Sequence, residues 1–220
     1  HDYSYSFNDP YTKQYFWHSA FDDYPVVGVN WKQANAFAHW RTKMMNSFLR
    51  KVKQPTLPDF RLPTESEWEY ASRGGLDASP YPWGGPYTRN LQGCFLANFK
   101  PLRGNYVADG GLKAIKTASY NPNGYGLYDM AGNVAEWTSN AYDEASFSYS
   151  HDMNSDLHYN ANEDDHEVLK RKTIRGGSWK DIAYFIQTST RTFEYQDTAK
   201  SYIGFRCAVD FLGRDKKDFE

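Results

Sequence analysis

Two cysteines, Cys94 and Cys207, are all that the 220 residues carry. That is too few for a disulfide-built scaffold, and their wide separation lacks the close spacing of a zinc site. The pair is free either to join or to stay reduced. No apolar run approaches the roughly 20 residues that cross a bilayer as a helix. A net charge of -2 supplies no positive field to gather phosphates, and Lys170-Arg171-Lys172 is the one cluster among scattered cations, which argues against nucleic acid. No Pro/Ser/Gly-rich linker divides the chain, so residues 1–220 read as a single domain. The opening His1-Asp2 carries neither a start methionine nor a signal peptide, and the sequence reads as a processed or excised piece whose lipid or targeting segment lies outside it.

What is present in quantity is aromatic: 18% of residues, including 7 Trp and 18 Tyr. Burial must rely on large rings with polar tips, which predicts an irregular, loop-rich interior. Tyr24-Pro25-Val26-Val27-Gly28-Val29 reads as a short strand. Asn30 then offers a helix N-cap, with Gln33 at the capping-box position. In the helix that follows, Trp31, Ala34, Phe37, Ala38, Met44, Met45, Phe48 and Leu49 recur at three- and four-residue intervals. This predicts a core-facing stripe, with a partner groove as the alternative, opposite a face carrying Lys32, His39, Arg41 and Lys43. A second capping box, Thr64 with Glu67, starts a second helix that Gly74-Gly75 ends. Beyond Leu76 the possible strands are short. The stretch 142–167, acidic and without periodicity, reads as a surface insertion.

Four blocks of text carry more than composition does. They are Pro25-Val26-Val27-Gly28-Val29-Asn30-Trp31 with Ala34; Arg61-Leu62-Pro63-Thr64-Glu65-Ser66-Glu67-Trp68-Glu69-Tyr70-Ala71; Asn123-Gly124-Tyr125-Gly126-Leu127-Tyr128-Asp129-Met130-Ala131-Gly132-Asn133-Val134-Ala135-Glu136-Trp137; and Ile174-Arg175-Gly176-Gly177-Ser178-Trp179-Lys180-Asp181 with Ile203-Gly204-Phe205-Arg206-Cys207. Together they resemble the formylglycine-generating enzyme (sulfatase-modifying factor) family. The resemblance implies an α+β fold, the family's variant of the C-type-lectin fold, with two main helices, short antiparallel strands and little other regular structure.

Family catalysts oxidise a cysteine to formylglycine with copper, which a cysteine pair grips. By resemblance Asp181 and Ile186 stand at those two positions, one a hard ligand and the other none, so no copper and no catalytic residues are expected. Ala199 and Tyr202 replace two residues that line the catalysts' active site, and Tyr202 should help to fill it. Ser72 replaces the usual disulfide partner of the cysteine that Cys207 matches.

Within the family the text resembles most a lipoprotein branch, K and its sister J, of Bacteroidetes gliding motility and type IX secretion. The carriers are Tyr81-Pro82-Trp83-Gly84-Gly85-Pro86-Tyr87, Gly93-Cys94-Phe95-Leu96-Ala97-Asn98-Phe99-Lys100-Pro101 and Glu194-Tyr195-Gln196-Asp197-Thr198. That branch implies a periplasmic scaffold, attached to the outer membrane through an N-terminal lipid, forming a homo-oligomeric ring with a partner, the N protein. The regions offered for contact are the aromatics around Tyr11, Tyr15, Phe16 and Trp17, and the insertion.

Two loops suit calcium. Asp129 and Glu136 place carboxylates seven residues apart around a glycine that lets backbone carbonyls turn inward, a donor set of hard oxygens. The family holds calcium at the positions of Asp129, Gly132, Val134 and Glu136, and a second at those of Asn98, Phe99, Asp109 and Gly111. On the residues alone, a cap or ion pair at the first and an Asx-turn at the second stay open. Either ion would be structural. His39, His151, His158 and His166 are spread too widely for a metal triad, and the compact His-x-x-x-His-x-Glu of the family's iron branch is absent. Ser178 has no histidine near it in sequence, which argues against a hydrolase. Against the scaffold stand two other functions: an altered oxidase using Cys94, Cys207 or an Asp181 base, and a glycan- or peptidoglycan-binding module.

Overall fold

The computed structural model describes residues 10–102, 105, 110–149 and 156–213. Helix α1 spans Trp31–Lys51. The Asn30 side chain accepts from the Gln33 amide and the Gln33 side chain from the Asn30 amide, satisfying two donors that the first turn leaves free. Helix α2, Glu65–Arg73, starts on the reciprocal Thr64–Glu67 box and stops at Gly74, whose φ of 57° is the left-handed cap.

Four short strands follow: β1 (Ala135–Ala141), β2 (Arg171–Arg175), β3 (Thr192–Tyr195) and β4 (Ile203–Phe205), in the order β3-β2-β1-β4. β1 pairs antiparallel with β2 (Trp137 opposite Ile174) and parallel with β4 (Trp137 opposite Phe205). The expectation of antiparallel strands therefore holds for two pairs and fails for the third, and the sheet is mixed. β1 has six of its seven residues buried, on both faces, which is why no alternation marks it. The segment Tyr24–Val29 is extended but joins no strand: Gly28, at φ 72°, donates to Lys200 O, and the Trp137 indole donates to Val29 O.

The α1 stripe holds in part: Ala34 and Ala38 are buried and Trp31, Met45 and Leu49 half-buried, but Phe37, Met44 and Phe48 are not core residues. The helix buries Ala34, Ala38, Thr42 and Asn46, while Phe37, Trp40, Met44 and Phe48 stand 41–59% exposed. The cause is what lies against it. Residues 57–60 approach as bare backbone whose polar groups need partners, so Asn46 takes both the Leu57 amide and carbonyl and Thr42 takes the Phe60 amide. Small and polar side chains hold this contact, and Phe37, Trp40, Met44 and Phe48 are left outside.

The described part of the insertion lies mostly at the surface and is tied to the sheet and helices. Leu157 O accepts from Ala141, Ala161 O from the Gln196 side chain, and the Asp156 carboxylate from Asn140 and Ser66. His151 lies outside the described residues. Beneath this segment the Lys172 side chain is fully buried, its ammonium donating to Tyr159 O and lying 3.9 Å from the Trp31 ring. Burial pushes its pKa down to about 8. The folded interior thus disfavours a proton that the unfolded chain keeps until about 10.5. The unfolded state binds more protons between those values, so stability should rise from pH 8 to 10.5, by up to about 3 kcal/mol through this residue. Urea titrations across that range, compared with Lys172→Met, check it. An equal slope in the variant would refute the assignment.

Of the N-terminal aromatics, Tyr15 is not a free contact residue. It packs with Val27, Ala114 and Val134, with Tyr11 against the cluster, while Phe16 and Trp17 remain exposed.

Candidate functional site

β2 ends at Arg175, and its burial fixes everything that follows. The guanidinium meets Glu65 (3.2 Å) and Glu69 (2.5 Å) of α2 and the carbonyls of Thr188, Ser189 and Thr190. Arg191 closes the cluster on Glu65, and Arg73 on Glu69. The chain then turns through Gly176-Gly177. A Cβ on Gly177, at φ 62°, would stand 2.6 Å from Phe185 O and 2.9 Å from Ile186 Cγ2, so only glycine lets the two turns close.

That closure brings Asp181 and Ile186 into the same corner in different roles. Asp181 Oδ2 accepts from the Ser178 amide (3.0 Å) and hydroxyl (2.6 Å), which makes it a turn clamp. Ile186 is fully buried against Tyr81, Ala97, Phe99 and Ala131. Tyr202 is half-buried against the sheet core and carries the Lys180 ammonium 3.6 Å over its ring. Ala199 is exposed. Both cysteines are free, and the Ser72 hydroxyl lies 3.4 Å from that of Thr188.

The two loops expected to hold cations differ. Asp129, at φ 56°, lines a cavity of about 350 Å³ with Val134, Glu136 and Arg206. Its Oδ2 accepts from the Ala118 amide, and burial, then the charge of Glu136, holds its pKa above the usual carboxylate value. Glu136 is clasped through both oxygens by Arg206 and also takes the Trp68 indole N–H at 2.7 Å. Two carboxylates beside one guanidinium leave a negative excess at the cavity, and the donors are hard oxygens. The residues fit a calcium ion, provided that Glu136 shares itself with Arg206. Gly132 is held tightly: a Cβ there would meet Asn98 O at 2.4 Å.

At the second loop the Asn98 side chain accepts from the Gly111 amide and donates to Lys113 O, tying residues 111 and 113 together. Asp109 lies outside the described residues, so the full donor set is not on view. Among the described residues no three His, Cys, Asp or Glu side chains gather as a metal cluster.

The sequence profile of the sulfatase-modifying factor enzyme 1-like domain matches residues 8–211. The chain belongs to that family. Its relatives include the "Inactive C-alpha-formylglycine-generating enzyme 2" of Mus musculus, 34% identical over 202 residues, covering 88% of this chain and 51% of that one. The "Formylglycine-generating enzyme" of Streptomyces coelicolor is 32% identical over 192 residues, covering 86% and 53%. The chain spans about half the length of these curated relatives. Among solved structures, PvdO from Pseudomonas aeruginosa superposes with a TM-score of 0.64 at 25% identity, over 86% of this chain and 63% of that one. The two helices and curled mixed sheet are thus the α+β fold of the sulfatase-modifying factor family, and the inactive relatives fit a catalytically inactive variant of it.

Within that family fold, the sequence reading missed the Glu65–Glu69–Arg175–Arg191 cluster and the clasp of Glu136 by Arg206. A signal existed for the first: Glu65 and Glu69 are one turn apart on the face that also carries Trp68, so the helix that buries Trp68 must bury carboxylate too. Three asparagines were also left without their structural role. Asn123 caps the last carbonyls of α2, Asn133 takes both the amide and carbonyl of Ile115, and Asn98 bridges Gly111 and Lys113. Each supplies to bare loop backbone the bonds that a sheet would have given it.

Proposed function

We propose that this chain is a non-catalytic scaffold of the type IX secretion and gliding-motility machinery, forming a periplasmic ring with the partner N protein. It would be attached to the outer membrane by an N-terminal lipid outside residues 1–220. The observation that carries the non-catalytic half is the pair Asp181 and Ile186 at the positions that the resemblance assigns to copper. One is committed to Ser178 and the other to the core. A soft copper(I) ion needs thiolates, and neither side chain carries a sulfur. The scaffold half is supported by the stretches 81–87, 93–101 and 194–198, which resemble the lipoprotein branch. Calcium at the Asp129 loop, and at the Asn98 loop, belongs to the same proposal, as a clamp between loops.

Mixing the purified chain with the N protein should give rings in negative-stain electron microscopy, while copper(I) titration should show no tight stoichiometric site. Oxygen uptake on a cysteine peptide would refute the non-catalytic reading. A soluble, monomeric chain with no affinity for the N protein would refute the scaffold.

A further inference from the structure

The exposed face of α1 has chemistry that neither the family nor the scaffold reading uses. Phe37, Trp40, Met44 and Phe48 form a ridge along it, with Phe37 5.4 Å from the rings of both Trp40 and Phe205. Beside the ridge a groove of about 610 Å³ runs between α1 and β4, lined by Val26, Val29, Phe37, Phe205 and Arg41. The charge around this ridge is one-sided. No Asp or Glu occurs between Asp23 and Asp59, although the chain has 27 of them, whereas Lys32, Arg41, Lys43, Arg50, Lys51 and Lys53 all fall there. Lys32 pairs with Asp197, but Arg41, Lys43, Arg50 and Lys51 have no carboxylate partner among the described residues. At 3.6 residues per turn, Lys51 falls within the Phe37–Met44–Phe48 face, Arg41 lies on its inner flank with its guanidinium 4.4 Å over the Phe60 ring, and Lys43 and Arg50 lie roughly a third of a turn round on the other side.

We infer that this face docks flat on an anionic lipid surface. Aromatic and methionine side chains would enter the headgroup boundary while the long cations on both flanks extend along it to reach phosphate. A second copy of the chain is a poor occupant, because two-fold pairing would set an acid-free cationic helix against its own image. The inference is independent of the scaffold reading.

The test is cosedimentation of the full chain with vesicles of phosphatidylcholine alone and of phosphatidylcholine with phosphatidylglycerol. Two variants accompany it, Trp40→Ser/Met44→Ser/Phe48→Ser and Arg41→Gln/Lys43→Gln/Arg50→Gln/Lys51→Gln. All seven positions are exposed or lack a partner carboxylate, and an unchanged Tm confirms that both variants fold. Binding is expected to the anionic vesicles only, to weaken with added salt, and to fall by about tenfold or more in each variant. No sedimentation with anionic vesicles, or sedimentation that either variant leaves intact, overturns the proposal. So does self-association, or binding of a soluble glutamate- and tryptophan-rich peptide, that depends on these residues while vesicles are ignored, since the face would then belong to a protein.

Discussion

Arg175→Ala is expected to cost roughly 3–5 kcal/mol, the range for removing one partner of a buried ion pair. Its side chain has no exposure and satisfies two carboxylates and three carbonyls at once. Without it Glu65 keeps Arg191 and Glu69 keeps Arg73, so the carboxylates are only partly orphaned. The carbonyls of Thr188, Ser189 and Thr190 lose that donor in the interior, and Trp68 loses the cation 5.5 Å from its ring. For a chain of this length the loss corresponds to a fall in Tm of roughly 10 °C. Arg175→Lys keeps the charge but not the planar fork that reaches five acceptors, and should lie between the two. Urea unfolding of the three proteins measures this. A cost below about 1 kcal/mol for the alanine variant would mean that the ion cluster does not hold the turn through Gly176-Gly177 in place.

The same region shows why parts of this fold were legible and others were not. Helix ends were legible because capping is local: Asn30 with Gln33 and Thr64 with Glu67 are three residues apart, and the chemistry that links them needs nothing from the rest of the chain. The four-block text was legible as a whole, and it named the fold. The sheet was not. Its strands are three to seven residues long, and β1 is buried on both sides, so neither length nor alternation separates it from the loops.

The outer half of the α1 stripe, Phe37, Met44 and Phe48, was misread because periodicity records spacing and cannot record what arrives from the other side. Bare backbone at residues 57–60 calls for Thr42 and Asn46, and that demand is written in residues far from the pattern. The candidate site shows a similar division. Asp181 and Ile186 could be picked out by position, but that Asp181 is a turn clamp on Ser178 required coordinates. Asp129 and Glu136 could be grouped by their spacing, yet the guanidinium that clasps Glu136 comes from Arg206, seventy residues further on. Long-range ion pairs between loops leave no local trace, and a chain with so little regular structure relies on many of them.

That guanidinium decides the calcium question in a measurable way. In Arg206→Met, Glu136 keeps only the Trp68 indole, and Asp129 faces it with no cation in the cavity. In chelator the variant should lose about 3–5 kcal/mol, as for any buried carboxylate stripped of its partner. If the loop takes calcium, saturating ion should return a large part of this, about 2.7 kcal/mol at a hundredfold excess over Kd, and more than the parent chain gains, since the variant presents two unneutralised carboxylates.

The pH dependence carries an independent sign. Burial raises the Asp129 pKa, so the folded state binds more protons than the unfolded one just above the ordinary carboxylate range. Stability without calcium should therefore fall as pH rises through that window. Calcium should flatten the fall, because it favours the ionised form in the folded chain. Asp129→Asn should abolish both the slope and most of the calcium increment. If Arg206→Met is destabilised and calcium shifts the melting of neither protein relative to chelator, the loop is held by Arg206 alone, an ion pair where the family resemblance implied a metal.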